Sequence, residues 1–236
     1  MTDFAQLETA AEESHWIPLS DLMTGLMVIF LLIALSYMMR VEAEQARIKH
    51  VAVAYTQIKD ALYDELRTEF KDDLPKWKAE LLKSDLTIRF SQPEVLFATG
   101  SSELKPEFQA ILADFFPRYV RILASAQYRD AINEIRIEGH TSSDWNGVAT
   151  ARDAYFLNME LSQARTRSTL NYVMNLPADH DQIDWLRKMV TANGLSSSHL
   201  IMSAAGTEDG ARSRRVEFKI RTDAETRLTK ILEVLR

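Results

Sequence analysis

The sequence predicts an α+β protein in three parts: a single N-terminal transmembrane helix, a helical linker, and a C-terminal domain with a mixed sheet covered by helices. Three observations carry this. Residues 22–39 hold no charge and are dominated by Leu, Met, Ile and Val. Residues 41–74 contain neither Gly nor Pro. From residue 86 onward, strand-like alternation and helix-like spacing of apolar residues take turns, as they do where a sheet is covered by helices.

The overall composition averages these parts. Among 236 residues, 46% are hydrophobic, and the mean hydropathy is −0.19. The apolar segment is therefore offset by a polar remainder. A net charge of −6, from 34 acidic and 28 basic residues, gives no overall attraction to phosphate backbones, so no direct nucleic-acid partner is expected. The absence of cysteine excludes disulfides, thiolate metal sites and a cysteine nucleophile. Seven Gly and six Pro leave few tight turns and favour long helices.

Residues 17–39 have the length of one helical crossing of a bilayer core, roughly 20 residues. Trp16 and Tyr37 lie near the ends, as interfacial anchors do. A cleaved signal peptide fits poorly: Asp3, Glu8, Glu12 and Glu13 precede the span with no Lys or Arg, and no small-residue cleavage site follows Met39. A buried core helix is the remaining alternative. Arg40, Arg47 and Lys49 follow the span and no basic residue precedes it, so charge alone favours a cytoplasmic carboxyl side. Asp21 stands about one turn inside a helix that begins near Ile17 with Pro18 in its first turn. Two readings apply to it. Ser20 or Asp21 caps the helix at the headgroup boundary, or Asp21, with Thr24 and Gly25 beside it, faces a partner helix or an aqueous path.

Residues 40–71 read as continuous helix within a linker spanning 40–85. Ile48, Val51, Tyr55, Ile58 and Leu62 form a short heptad seam that suits either a parallel dimeric coiled coil or packing on the chain's own domain. The folded domain is expected over 86–222. Strand patterns occupy 86–90, extendable through 94–97, then 134–138, 200–204 and 215–220. Helices are expected over 105–125, where Pro117 predicts a kink or break, over 152–174, and over 181–192 with Gly194 as the residue that ends it. Residues 223–236 return to a C-terminal helix.

Three motifs in this domain resemble the OmpA-like peptidoglycan-binding family: Ile137-Glu-Gly-His-Thr141, Asn158-Met-Glu-Leu-Ser-Gln-Ala-Arg165, and Arg212-Ser-Arg-Arg-Val-Glu217, matching GHTD, NxxLSxxRA and NRRVE in order and spacing. The segment from Trp16 through Leu32, with Pro-Leu-Ser-Asp-Leu-Met-Thr-Gly-Leu-Met, is similar to the membrane helix of MotB-type flagellar stator subunits. Together with the loop Gly139-His-Thr-Ser-Ser-Asp-Trp145, the chain most resembles the MotB-like B subunits of Zorya anti-phage defence systems.

The resemblance implies a B subunit of a proton-driven rotary stator-like complex, with two copies inside a pentameric MotA-like (ZorA-type) membrane subunit. It implies residues 1–16 in the cytoplasm and the domain in the periplasm, which outranks the three-residue charge bias. The complex would be anchored to peptidoglycan and would signal to cytoplasmic defence effectors. A flagellar stator and a static membrane-tethered wall anchor are the alternatives. Asp21 matches the intramembrane carboxylate that accepts the ion, H+ or Na+, with Thr24 one turn on. At the wall site, Arg165 matches the arginine that clamps the stem-peptide carboxylate, and Asn158, Leu161, Ser162, Thr141 and Arg215 fall in the same motifs. Ser142 occupies the position of the family's aspartate, and Asp144, two residues later, is a replacement for its charge. A purely structural reading pairs Arg165, Arg214 and Arg215 with Glu138, Asp144 or Glu217, and has His140 hydrogen-bonded within its loop. The five histidines have no metal-ligand spacing, and no GxSxG, P-loop or dinucleotide motif is present. No enzyme activity, metal or cofactor is therefore expected.

Overall fold

In the computed structural model, which describes residues 3–91, 93–147, 150–177 and 179–222, helix α1 runs unbroken over Asp3–Phe70. It starts well before the apolar span. Pro18 is consequently inside the helix, and neither Ser20 nor Asp21 caps it; the Ser20 carbonyl instead accepts a hydrogen bond from Thr24 Oγ1 at 2.8 Å. The chain divides into two compact units, Met1–Ala52 and Val53–Arg236. Within the first, Leu19–Ala46 has mean hydropathy 2.3 and no buried residue, which is long and apolar enough to cross a membrane. Leu22, Met27 and Met39 are at least 70% exposed. A core-helix reading of the span is thereby removed.

The second unit is built on a five-stranded sheet. Its strands are β1 Ala79–Leu82, β2 Thr87–Phe90, β3 Ile132–His140, β4 Val190–Gly194 and β5 Arg215–Thr222, in the order β1-β2-β5-β3-β4. Only β3 and β4 run parallel. Helices α2 Pro93–Leu96, α3 Pro106–Leu123, α4 Ala151–Met174, α5 His180–Met189 and α6 Gly210–Ser213 complete it. Alternation along the strands puts Ile88 and Phe90, Ile135 and Ile137, and Val216, Phe218 and Ile220 into the core. Phe115 of α3 sits at its middle, with ring centroids 5.3 Å from Phe70, 5.4 Å from Phe90 and 5.1 Å from Phe218. Burial of each such ring stabilises the fold by about 1.5–3 kcal/mol.

The last turns of α1 belong to this core. Leu62, Leu66 and Phe70 are fully buried and Ile58 packs against them, so the C-terminal half of the heptad seam packs on the chain's own domain. The side chains of Val51 and Tyr55 lie outside the described residues. Arg118 of α3 fixes this junction, donating to Glu69 at 2.8 Å and Asp73 at 2.9 Å while stacking 4.9 Å from the Phe70 ring centre. The compact unit therefore takes in residues 53–85, which the sequence assigns to the linker. Strand β1 lies there unannounced, because Ala-Glu-Leu-Leu is a helix-favouring composition that only pairing with β2 converts to strand.

Other boundaries shift for local reasons. Residues 93–96 form a helical turn rather than extended chain, and only Phe97 bridges to Leu104. Helix α3 continues through Pro117 without a break; Phe115, Phe116 and Tyr119, all buried, hold both sides of it in the core. Helix α5 ends at Met189, and Val190–Gly194 turns into β4 beside β3. Gly194 is thus a strand residue. A Cβ there would lie 2.3 Å from the Gln163 nitrogen of α4, so glycine answers to a close crossing, not to a helix end. Residues 200–204 contribute one isolated bridge, Met202 to Glu208. The C-terminal helix predicted over 223–236 lies outside the described residues.

Replacing Gly194 with Ala forces α4 off the sheet and is expected to cost about 1–3 kcal/mol. Denaturant unfolding of the variant should show a lower midpoint, and an unchanged midpoint would mean that the crossing relaxes freely.

Candidate functional site

Strand β3 ends at His140, and the loop that follows faces the amino-terminal half of α4. Thr150 starts that helix by accepting a hydrogen bond from the Asp153 N–H at 3.1 Å. Between them, and closed by residues 97–100, is an open cleft of about 480 Å³. Thr141, Ser142, Asp144, Asn158, Leu161 and Arg165 all line it, so six of the eight residues assigned to wall binding from sequence meet in one place. Their helical spacing explains the convergence: Asn158, Leu161 and Arg165 lie three and four positions apart on α4.

Backbone and side-chain bonds fix the walls. Asn158 Nδ2 donates to the Asp144 carbonyl at 3.2 Å, tying the loop to α4. The Thr141 N–H donates to the Ser196 carbonyl at 2.9 Å. Ser143 donates to Glu208 through its backbone N–H at 3.0 Å and also through its hydroxyl. Ser162 is buried below the surface, where its Oγ accepts from the Ser196 N–H and donates to the Met159 carbonyl, both at 3.0 Å. It positions the cleft but does not line it.

Arg165 is the chemically distinctive group. It is 9% exposed, and its guanidinium donates only to carbonyls, Ser101 at 2.9 Å and Ala98 at 3.3 Å, while stacking 4.8 Å from the Phe97 ring centre. Among the described residues no carboxylate pairs with it. Burial, reinforced by nearby Arg214, pulls its pKa down to about 10. A desolvated cation without a countercharge favours an anion in the cleft, and the planar guanidinium matches a carboxylate. The structural pairing of Arg165 with Glu138, Asp144 or Glu217 is therefore not what forms.

Arg215 departs from its expected role. It is buried, donates from Nε to Glu217 Oε1 at 2.7 Å and from Nη1 to the carbonyls of His199 and Ser213, and does not line the cleft. Arg214 lines it instead, with Nη1 3.5 Å from Ser142 Oγ. Strand alternation explains the exchange, since neighbours at the start of β5 point to opposite sides. Burial would raise the Glu217 carboxyl, but the facing His140 and Arg215 outweigh this and hold it well below the usual carboxylate range. His140 makes no hydrogen bond within its loop; its ring nitrogens have no hydrogen-bond partner among the described residues. Phe97, Thr99, Gly100, Trp145 and Asn146 complete the lining; of these only Trp145, in the loop Gly139–Trp145, carries a signal in the sequence. Asp21 and Thr24 belong to the other compact unit, three positions apart on exposed helix.

No family model matches the chain. A protein of Escherichia coli named Zorya protein ZorB is 48% identical to it over 224 residues, covering 94% of each chain. The chain belongs to the ZorB family. Among solved structures, this ZorB-family fold is similar to that of a MotB-like protein from Desulfovibrio vulgaris, with a TM-score of 0.50 and 27% identity over 70% of this chain and 95% of the other. The cell-wall anchor of the type VI secretion system of Pseudomonas aeruginosa gives a TM-score of 0.44 at 24% identity, covering 66% and 96%. The likeness to the Desulfovibrio vulgaris protein makes the fold of this ZorB-family chain MotB-like, as its motifs imply.

Two arginine substitutions separate a cleft group from a structural one. Arg215→Met breaks a buried ion pair and should cost about 3–5 kcal/mol, whereas Arg165→Met removes an uncompensated buried cation and should be neutral or stabilising by about 1 kcal/mol. Thermal unfolding measures both; a large loss for Arg165→Met would mean that its carbonyl bonds hold the domain together.

Proposed function

We propose that this chain is the B subunit of a proton-driven, stator-like complex in the bacterial inner membrane, acting in anti-phage defence. It crosses the membrane once, with residues 1–16 cytoplasmic and the C-terminal domain periplasmic, holding peptidoglycan. Two copies assemble inside a pentameric MotA-like subunit, and an envelope disturbance is passed to cytoplasmic effectors as rotation. The observation that carries the wall-binding half is Arg165, a buried cation without a countercharge in a cleft formed by the family motifs. It takes the free carboxylate of a stem peptide bidentately, with Arg214 adding positive charge at the rim. Asp144, from the loop opposite, supplies the negative charge for the peptide amine that Ser142 does not.

Asp21 carries the membrane half. A carboxylate within an otherwise uncharged span costs about 2.5–3.5 kcal/mol at the bilayer centre, and less near the interface. Such a group is retained where it does work: neutral when desolvated, it holds a proton, and it gives the proton up when water or a cationic partner becomes available. Thr24 lies one turn on, and the small residue Gly25 allows a partner helix to come close.

Asp21→Asn should leave assembly intact and abolish both proton flux and defence against phage infection; full protection by that variant would remove the ion-pathway role. Restored swimming in a stator-null strain would identify a flagellar stator instead. Arg165→Ala should weaken sedimentation with purified sacculi at least about tenfold, the equivalent of one charge-assisted hydrogen bond. Unchanged sedimentation would move the wall site elsewhere.

A further inference from the structure

The register of β3 on β5 sets Glu138 directly opposite Glu217, and His140 two residues along the same face. All three are buried, at 7%, 4% and 4% exposure. Like charges directly opposed across a ladder are unfavourable, so this arrangement calls for a cation between them. Arg89 and Arg215 supply it on the Glu217 side, and Lys219 of β5 adds positive charge near both carboxylates. Glu217 Oε1 accepts from Arg89 at 2.6 Å and Arg215 at 2.7 Å, and the nearest cation to Glu138 Oε1 is Arg136 at 3.8 Å. The second oxygens of both carboxylates turn inward to His140 Nε2, at 3.7 Å from Glu138 and 3.5 Å from Glu217.

We propose that Glu138, His140 and Glu217 form a binding site for a divalent transition metal of the zinc class. The separations are too long for strong hydrogen bonds. They are close to the edges of a ligand tetrahedron, which for bonds of about 2.0–2.1 Å are roughly 3.3 Å. The buried imidazole has no hydrogen bond among the described residues, and its Nε2 lies within 4 Å of both oxygens. Arg89 and Arg215, bonded to the outward oxygen of Glu217, hold that ligand in orientation. Mixed nitrogen and oxygen donors suit zinc or cobalt, whereas magnesium and calcium take all-oxygen sets.

The test uses the full chain, without a histidine tag, in detergent and stripped by chelator. Titration with Co²⁺ should give the visible absorption of a tetrahedral site at one equivalent per chain, Zn²⁺ should displace it, and Zn²⁺ should raise the unfolding temperature. Glu138→Gln and His140→Gln, checked for folding by circular dichroism, should each weaken uptake at least about tenfold. A folded wild-type chain that takes up neither Co²⁺ nor Zn²⁺ stoichiometrically overturns the site, whatever the variants do. So does undiminished uptake in folded Glu138→Gln, or a His140 ring that titrates as an imidazolium partner of the two carboxylates with Zn²⁺ in excess.

Discussion

The position of helix α4 depends on two places where no side chain fits. Gly139 of β3 and Gly194 of β4 are partners across the parallel pair, and together they make a shallow notch in the sheet. A Cβ on Gly139 would stand 2.6 Å from Thr166 Cγ2 and 3.0 Å from the Ser162 carbonyl oxygen; one on Gly194 would meet the Gln163 backbone. The helix backbone rests directly in the notch. Its height above the sheet is therefore set by the Ser162 and Gln163 backbone together with the short contacts of the Thr166 and Gln163 side chains. The cleft and its support inherit that height: Asn158 reaches the Asp144 carbonyl, the buried Ser162 reaches the Ser196 N–H, and Arg165 enters over Phe97.

The notch also shows what could and could not be read from the sequence. The Gly-His-Thr motif pointed to a functional loop, and the cleft does form there, but the glycine serves helix packing rather than the ligand. Gly194 stood after an apparent helix, where a glycine commonly ends one, and only the neighbouring strand reveals its purpose. The segment 106–123 was legible because its apolar face and its helical preference agree, and 151–174 because its composition is helical and a family motif lies on it, although the face it buries is mostly polar. Ala79–Leu82 was not, since its preference is helical and its partner lies across a turn. The last turns of α1 were ambiguous for a different reason: Ile58 and Leu62 have the same spacing whether they meet a second copy or their own sheet.

At the site, residue types were easier to read than roles. Spacing along α4 brought Asn158, Leu161 and Arg165 together correctly, because a helix converts sequence interval into direction. The run Arg214-Arg215 could not be divided without knowing where β5 begins; a shift of one residue exchanges an interior partner of Glu217 for a rim residue of the cleft. Burial gives the two buried arginines opposite meanings. Arg215 is neutralised by a carboxylate and holds the sheet face together, while Arg165 is desolvated among carbonyls and an aromatic ring. The same side chain is paired in one place and left without a countercharge in the other, and that difference separates their chemistry.

That unbalanced guanidinium ties the domain's firmness to its occupancy. Any ligand that binds the folded state and not the unfolded one deepens the folded well by mass action. An anion seated against Arg165 does so by removing a cost that the empty domain carries. The domain would then resist being pulled apart most strongly while it holds on, and least once released. In the wall-binding role proposed above, grip and durability would rise and fall together.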